Sequence, residues 1–435
     1  MGLLVESSTK RYHSFEDSGI DWVGNIPEHW EIKKFKRVFK EVKKRTNTEL
    51  NCGSISFGKV VFKDDEKIPE STKRSYQVLK KGEFLINPLN LNYDLISLRI
   101  ALSDKDVVVS SGYIVIDNFI ELNKTYFNYF LHRFDVAFMK LLGSGVRQTL
   151  NWNDIANCDL ILPPLPEQTA IAGFLDHKTA LIDQAIDIKQ KQIELLKERR
   201  QILIHKAVTR GLNPNVKMKD SVVEWIGEIP EHWEVKRLKH LGNSIIGLTY
   251  NPNDLCGVEE GTLVLRSSNL FEGKFKYGEK ENAYVKSRIP QKLLIRENDI
   301  LICSRNGSRD LIGKCALATK VDAGHSFGAF TTVFRSDINP YIFCILNSSI
   351  FKALSGMFLT STINQLTIGN LNSIEVPIPP INEMDEVRNY VENINLKVDT
   401  AISLKEQEIE KLKEYKATLI NSAVTGKIKV YNDAK

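Results

Sequence analysis

The sequence predicts an α+β protein: two tandem mixed α/β domains, each followed by a long helix, with the two helices pairing as an antiparallel coiled coil. Three observations carry that prediction. A tryptophan-rich block occurs twice, a proline-rich block occurs twice, and each proline block leads into a long stretch with one narrow apolar stripe.

The tryptophan block Trp22-Val23-Gly24-Asn25-Ile26-Pro27-Glu28-His29-Trp30-Glu31-Ile32-Lys33 returns as Trp225-Ile226-Gly227-Glu228-Ile229-Pro230-Glu231-His232-Trp233-Glu234-Val235-Lys236, 203 positions later. In a chain with five tryptophans, chance does not produce this match, and the repeat marks a duplicated domain. The second block, Leu160-Ile161-Leu162-Pro163-Pro164-Leu165-Pro166-Glu167, matches Val376-Pro377-Ile378-Pro379-Pro380-Ile381-Asn382-Glu383 at an offset of 216. From there the match runs without a gap to Ala207-Val208-Thr209 on Ala423-Val424-Thr425. Growth of the offset from 203 to 216 gives the second copy about thirteen extra residues between its two blocks, where loops vary.

After each proline block the apolar spacing is that of one helix of about 45 residues, roughly 65 Å long. Ile182, Ile186, Ile193, Leu196, Leu203 and Ala207 alternate steps of three and four, with Lys189 and Arg200 at the two missing seam positions. Val398, Ile402, Ile409, Leu412, Leu419 and Ala423 repeat the stripe, with Lys405 and Lys416 in the gaps. A seam so narrow calls for a partner helix, and the other copy is the obvious one. Arg210-Gly211 and Gly426 are the stop signals. Between the landmarks the texture is short β-type runs, such as Glu83-Phe84-Leu85-Ile86, Val107-Val108-Val109, Leu263-Val264-Leu265, Asp299-Ile300-Leu301-Ile302 and Thr331-Thr332-Val333-Phe334.

Composition narrows the function. The chain has 435 residues, 42% of them apolar and 26% charged, enough for packed cores and far from collagen-like or disordered usage. No apolar run reaches the length of a membrane span, and Met1 to Ser8 lacks the pattern of a signal peptide, so a cytoplasmic protein is expected. Six scattered cysteines form no CxxC pair and read as buried or incidental thiols, with no metal site. Net charge is +5, with 31 basic against 27 acidic residues up to Leu212 and 28 against 27 beyond it, so charge alone does not name a polyanion partner. The bias sits in Lys33, Lys34, Lys36, Arg37, Lys40, Lys43, Lys44 and Arg45, a run equally suited to a solvated face and to phosphate.

Enzyme signatures are missing. No Walker A, GxSxG, HExxH or GxGxxG occurs, and Asn87-Pro88-Leu89-Asn90 lacks the second proline and aromatic of an amino-methyltransferase loop. No catalytic residue is assigned. The repeated His29 and His232, inside Pro-Glu-His-Trp, read as orienting a turn that a core tryptophan anchors, and Glu28 and Glu231 read as caps. Loops that follow strands offer a different chemistry. Arg266, Ser267 and Asn269, then Arg305, Asn306, Ser308 and Arg309, combine the Arg and Asn donors that make bidentate base contacts with small residues that let DNA approach. Arg147 and Gln148 in one copy and Asn364 and Gln365 in the other sit just before the strand that enters each proline block. In the first half Ser54, Ser56, Lys59 and Lys63 take the place of Arg266 to Asn269.

With the repeated Trp-x-Gly-x-Ile-Pro-Glu-His-Trp-Glu, the Pro-Pro-Leu-Pro-Glu-Gln block at Pro163 to Gln168 and the Ala-Val-Thr-Arg-Gly block at Ala207 to Gly211, the chain resembles the specificity subunit of type I restriction-modification systems. The resemblance covers nearly the whole length, and one departure is that Pro379-Pro380-Ile381-Asn382-Glu383-Met384 lacks the Pro-Glu-Gln ending. It implies a first target recognition domain at residues 1–165, a central conserved helix at 166–212, a second recognition domain at 213–380, a distal conserved helix at 381–428 and a tail at 429–435. It also implies a non-catalytic role: each domain reads one half of a split site in double-stranded DNA while the helices set the unread spacer. The implied partners are two methyltransferase (modification) subunits and restriction/translocase subunits. S-adenosylmethionine, ATP and Mg would belong to those partners, with no cofactor bound by this chain. A duplicated coiled-coil scaffold or adaptor without DNA specificity is the alternative, and it has no use for Arg, Asn and Gln loops in both halves.

Overall fold

In a computed structural model of the chain, the structure describes residues 11–90, 98–139, 148–357 and 364–430. They form two compact units, one built from residues up to Ile188 and from Gln407 onwards, the other from Lys189–Glu406. Each unit therefore takes half of each long helix, Leu165–Arg210 and Ile381–Val424.

The two units share one plan. In the first, an antiparallel four-stranded sheet runs in the order Ile100–Leu102, Phe84–Ile86, Ile114–Asn118, Phe39–Glu41. The second repeats the order with Cys315–Leu317, Ile300–Cys303, Thr331–Arg335 and Asn243–Ile246. Of the inner strands, Phe84–Ile86 and Ile300–Cys303 are apolar on both faces and wholly buried, so they serve as the centre of each core. The strand after each Pro-Glu-His-Trp block pairs with the strand that precedes the long helix: Glu31–Lys34 with Asp159–Leu162, and Glu234–Arg237 with Glu375–Ile378. Duplicated blocks far apart in sequence thus become neighbours.

Against the first sheet packs the helix Lys124–Ala137, whose Tyr126, Phe127, Phe130 and Phe134 recur at helical spacing and are all buried. Its N-terminus is capped by Asn123, which accepts from the Tyr126 amide at 2.9 Å. The second unit breaks this element into Asn339–Leu346 and Ser349–Met357. At the break the Ser348 hydroxyl donates to the Ile345 carbonyl at 2.6 Å, a local bond that competes with helix continuation.

The helices pair antiparallel within each unit. In the first unit Ile182 shares a core with Leu419, Ala423 and Val424, and Asp183 pairs with Lys416 at 2.6 Å. In the second, Ile204, Ala207 and Val208 share a core with Met384, Val387 and Val391, and Arg200 pairs with Asp399 at 2.6 Å. Of the predicted seam, Ile182, Ile193, Ile409 and Leu419 are buried, and Ile186, Leu196, Leu203, Val398, Ile402 and Leu412 are half-buried. Arg200 and Lys416 occupy seam positions because their long stems lie along the apolar stripe while their charges reach carboxylates on the opposite helix. Gly211 and Gly426 end the helices with φ of +68° and +73°, and each lies against a duplicated tryptophan, Trp233 and Trp30.

The extra residues of the second copy can be placed. The Glu83 carboxylate accepts from the Lys80 amide, and Asp299 accepts from the Arg296 amide, both at 2.8 Å, so the offset of 216 already holds there. The insertion lies between Ile246 and Arg296, in the segment that becomes the short strands Leu255–Cys256, Thr262–Leu265 and Tyr284–Val285.

Candidate nucleic-acid interface

The duplicated histidine and tryptophan do not form a catalytic pair. They close on the glutamate in the first turn of the following long helix. His29 Nε2 lies 2.6 Å from Glu167 Oε1, the Trp30 indole donates to Oε2 at 3.0 Å, and the Tyr12 hydroxyl donates to the same oxygen at 2.7 Å. In the second unit His232 Nε2 lies 2.6 Å from Glu383 Oε1 and the Trp233 indole donates to Oε2 at 2.9 Å. A carboxylate at a helix N-terminus is favoured by the helix dipole, so the clamp fixes each helix to its domain. Gln168 adds a bond from its side-chain amide to the Pro163 carbonyl at 2.8 Å, while Met384 at the equivalent place is buried in the second core. The loss of Pro-Glu-Gln in the second copy thus exchanges a polar tie for an apolar one and keeps the glutamate.

A second duplicated frame stands where the buried strands Phe84–Ile86 and Ile300–Cys303 end. Leu89 and Asn90 pair with Thr149 and Gln148, and the Leu150 amide donates to the Pro88 carbonyl at 3.0 Å. In the other unit Arg305 bridges Gln365, and the Leu366 amide donates to the Ser304 carbonyl at 2.7 Å. Pairing thus sets Gln148 on Asn364 and Thr149 on Gln365, one residue away from the alignment that the two glutamines suggest. Arg147 lies outside the described residues.

In the second unit this frame gathers distant segments onto one surface. Arg305 and Asn306 come from the strand end, Ser267 from the turn after Thr262–Leu265, and Asn364 and Gln365 from the segment before the last strand. Asn306 donates to the Ser267 hydroxyl at 3.1 Å, and Asn364 donates to the Gly307 carbonyl at 3.1 Å. The amides of Ser304 and Arg305 both donate to the Phe330 carbonyl, at 3.1 and 3.0 Å. An open groove beside them is lined by Tyr250, Arg266, Ser267, Lys280, Gly328 and Phe330.

The predicted residues fall into different roles here. Arg305 is exposed, with its guanidinium 5.3 Å from the Phe330 ring centroid. Arg266 donates to the Glu281 carbonyl at 2.9 Å and Arg309 to the Gly356 carbonyl at 3.0 Å, so each guanidinium ties its loop to a neighbouring segment. Ser308 is exposed, its amide held by the Asn306 carboxamide at 2.9 Å. Asn269 is a correction: it is wholly buried, accepting from the Arg266 amide and donating to the Lys276 carbonyl and Asn282, because the short turn Ser267–Asn269 needs an internal cap. Beneath the surface, burial pushes the Cys303 thiol up to about 11, which keeps it neutral.

The first unit solves the matching segment differently. Ser54 and Ser56 lie on the strand Gly53–Ser56 and Lys59 on Lys59–Phe62, a hairpin whose turn Phe57-Gly58 has φ of +46° and +72°. Phe57 is 74% exposed at the tip, with Ser56 paired opposite Lys59, while Lys63 follows the hairpin and is exposed. Both segments start alike, with Cys52 parallel to Val108 and Val264 parallel to Ser326, and diverge afterwards. The basic run is dispersed: Lys34 pairs with Asp159, Lys36 donates to Asn157 and Arg45 grips Glu83. Sequence reasoning missed Phe330 and Leu89, which sit beside strands where an apolar residue reads as core, yet are 59% and 44% exposed.

Comparison with known proteins agrees with this arrangement. A family model described as type I restriction modification DNA specificity domain matches residues 27–198 and again 230–414. The MjaVIII type I restriction enzyme specificity subunit of Methanocaldococcus jannaschii is 24% identical over 424 residues, covering 94% of this chain and 95% of that one. The EcoKI specificity subunit of Escherichia coli is 25% identical over 209 residues, 46% of this chain and 44% of its own. In fold, a chain solved in work on complex assembly and conformational transition of the type I restriction-modification system is similar at a TM-score of 0.70 and 15% identity, covering 92% of this chain and 98% of that one. The HsdS subunit from Thermoanaerobacter tengcongensis is similar over the same shares at 0.51 and 15% identity.

Proposed function

This chain belongs to the type I restriction modification DNA specificity domain family, whose domain it carries twice, and on that premise we propose that it is the non-catalytic recognition subunit of a type I restriction-modification complex. Each unit reads one half of a bipartite target in double-stranded DNA, and the paired helices set the unread gap between the halves. The observation that carries the reading is the duplicated frame at the ends of the buried strands. In both copies it brings distant loops to one surface, and in the second copy it presents Arg305, Asn306, Ser267 and Asn364 together. Arg and Asn are the side chains that match base edges in the major groove, and their gathering on one surface supports sequence reading.

Methylation, translocation and cleavage belong to the partners: two methyltransferase subunits with S-adenosylmethionine, and restriction subunits with ATP and Mg. The complex works in the cytoplasm. Exposed apolar residues on the first long helix, Leu181 and Ile188 in the first unit and Leu195 and Ile202 in the second, support such docking. Co-expressing the chain with the methyltransferase of its own system and mapping adenine methylation tests the proposal. A motif with two short defined halves around a fixed gap is the expected result. A stable complex that neither methylates nor binds DNA would make the chain an adaptor.

A further inference from the structure

We propose that Arg305 is the guanine-reading residue of the second unit and that Phe330 is the plate that aims it; the proposal rests on the DNA-reading role above. Three arginines lie at this surface, and two are committed, Arg266 to the Glu281 carbonyl and Arg309 to the Gly356 carbonyl. Arg305 makes no side-chain hydrogen bond or ion pair among the described residues and is exposed. Its backbone is nevertheless fixed from two sides, by its own amide bond to the Phe330 carbonyl at 3.0 Å and by the bridge to Gln365. The guanidinium stands over the Phe330 ring at 5.3 Å, which restricts its plane while leaving its N–H fork unspent.

A fork that is oriented but unpaired needs two adjacent acceptors in one plane. In the major groove guanine offers them, O6 and N7, whereas adenine pairs an acceptor with a donor and the pyrimidines show one polar group. A phosphate would also accept the fork, but it gives no reason for a rigid aromatic backing, since backbone contacts tolerate a mobile side chain. Asn306 and Ser267, bonded to each other beside Arg305, close one flank of the position that the base edge would occupy.

The test uses the full chain with its methyltransferase partner. The unaltered complex is first mapped for adenine methylation; absence of a two-part motif would sink the DNA-reading role itself. Given that motif, Arg305→Ala is expected to relax one guanine in one half to any base, with the other half and the gap unchanged. Binding to a duplex carrying 7-deazaguanine at that position is expected to fall roughly ten- to a hundredfold for the unaltered complex, and to be indifferent for Arg305→Ala. Phe330→Ala, with Arg305 intact, is expected to relax the same position in part. Uniform loss across all sequences with a reduced salt slope would make Arg305 a phosphate contact and overturn the proposal, as would an unchanged motif. Arg305→Lys, which keeps the charge, separates the fork from the charge: it is expected to retain only part of the guanine preference, and full retention would contradict the assignment to the fork.

Discussion

The two units use one frame for different surfaces. At the end of the inner buried strand the first unit places Leu89 and the second places Arg305, each held by the same pairing to the segment before the last strand. Upstream, the first unit makes a tight hairpin with Phe57 at its tip, and the second makes a short turn capped internally by Asn269. The parts that match are the parts that hold the fold: the Trp30 and Trp233 clamps, the Glu83 and Asp299 carboxylates that accept from their turn amides, and the helix seam. Among the parts that differ, Phe57, Leu89 and Arg305 face solvent. Duplication preserved the scaffold and left the contact surface free to change.

Breaking the clamp has the largest effect and distinguishes the copies. Trp233→Ala opens a cavity under a wholly buried side chain and is expected to cost about 3–5 kcal/mol in denaturant unfolding. Glu167 takes three donors and its side chain is 8% exposed, whereas Glu383 takes two and is 34% exposed. Glu167→Ala is therefore expected to destabilise by about 2–3 kcal/mol and Glu383→Ala by about 1 kcal/mol. Equal losses would show that the clamps are equivalent despite their different burial.

Exchanging the frame residues sharpens the contrast in chemistry. An exposed leucine at Leu89 suits the methyl group of thymine, so Leu89→Arg is expected to shift one base in one half-site toward guanine by about 1–3 kcal/mol in competition binding. Acid has a weaker effect and acts on both units, because burial also holds His205 and His325 of the second below their usual value. Burial holds His132 of the first unit below its usual value of 6.5, so near pH 6 the unfolded chain takes up a proton that the native imidazole refuses. Stability of the first unit is expected to fall as pH drops from 7 through 6, and His132→Gln is expected to flatten that slope in thermal melts. The smallest effect belongs to the helix pair: Asp183→Asn and Asp399→Asn each remove one exposed ion pair, worth about 0.2–1 kcal/mol, and less at high salt.

Much of this architecture was legible in the sequence. The blocks, both helices, their glycine stops and the seam follow from periodicity and repetition, because backbone geometry repeats where side-chain spacing repeats. Less visible was the composition of each unit from both helices, since antiparallel pairing joins residues such as Asp183 and Lys416 that linear order keeps far apart. The site was legible as a set of loops and not as individual roles. Arg266, Arg305 and Arg309 look alike as letters, and carbonyl partners at Glu281 and Gly356 decide which of them remain available. Asn269 reads as a donor for DNA until the turn that it caps is seen. The shared glutamate of the clamp was present in both copies as Glu167 and Glu383, and the signal that could have found it was its fixed place behind each proline pair.

The central claim is that readers and ruler are separate parts of the chain. Its most direct test is the methylation motif written by a chain lengthened by one heptad in each long helix, after Lys191 and after Lys405, co-expressed with its methyltransferase. Seven residues add about 10 Å of helix, close to three base pairs. The predicted result is a gap longer by about three pairs with both half-sites unchanged; altered half-sites around the original gap would contradict it.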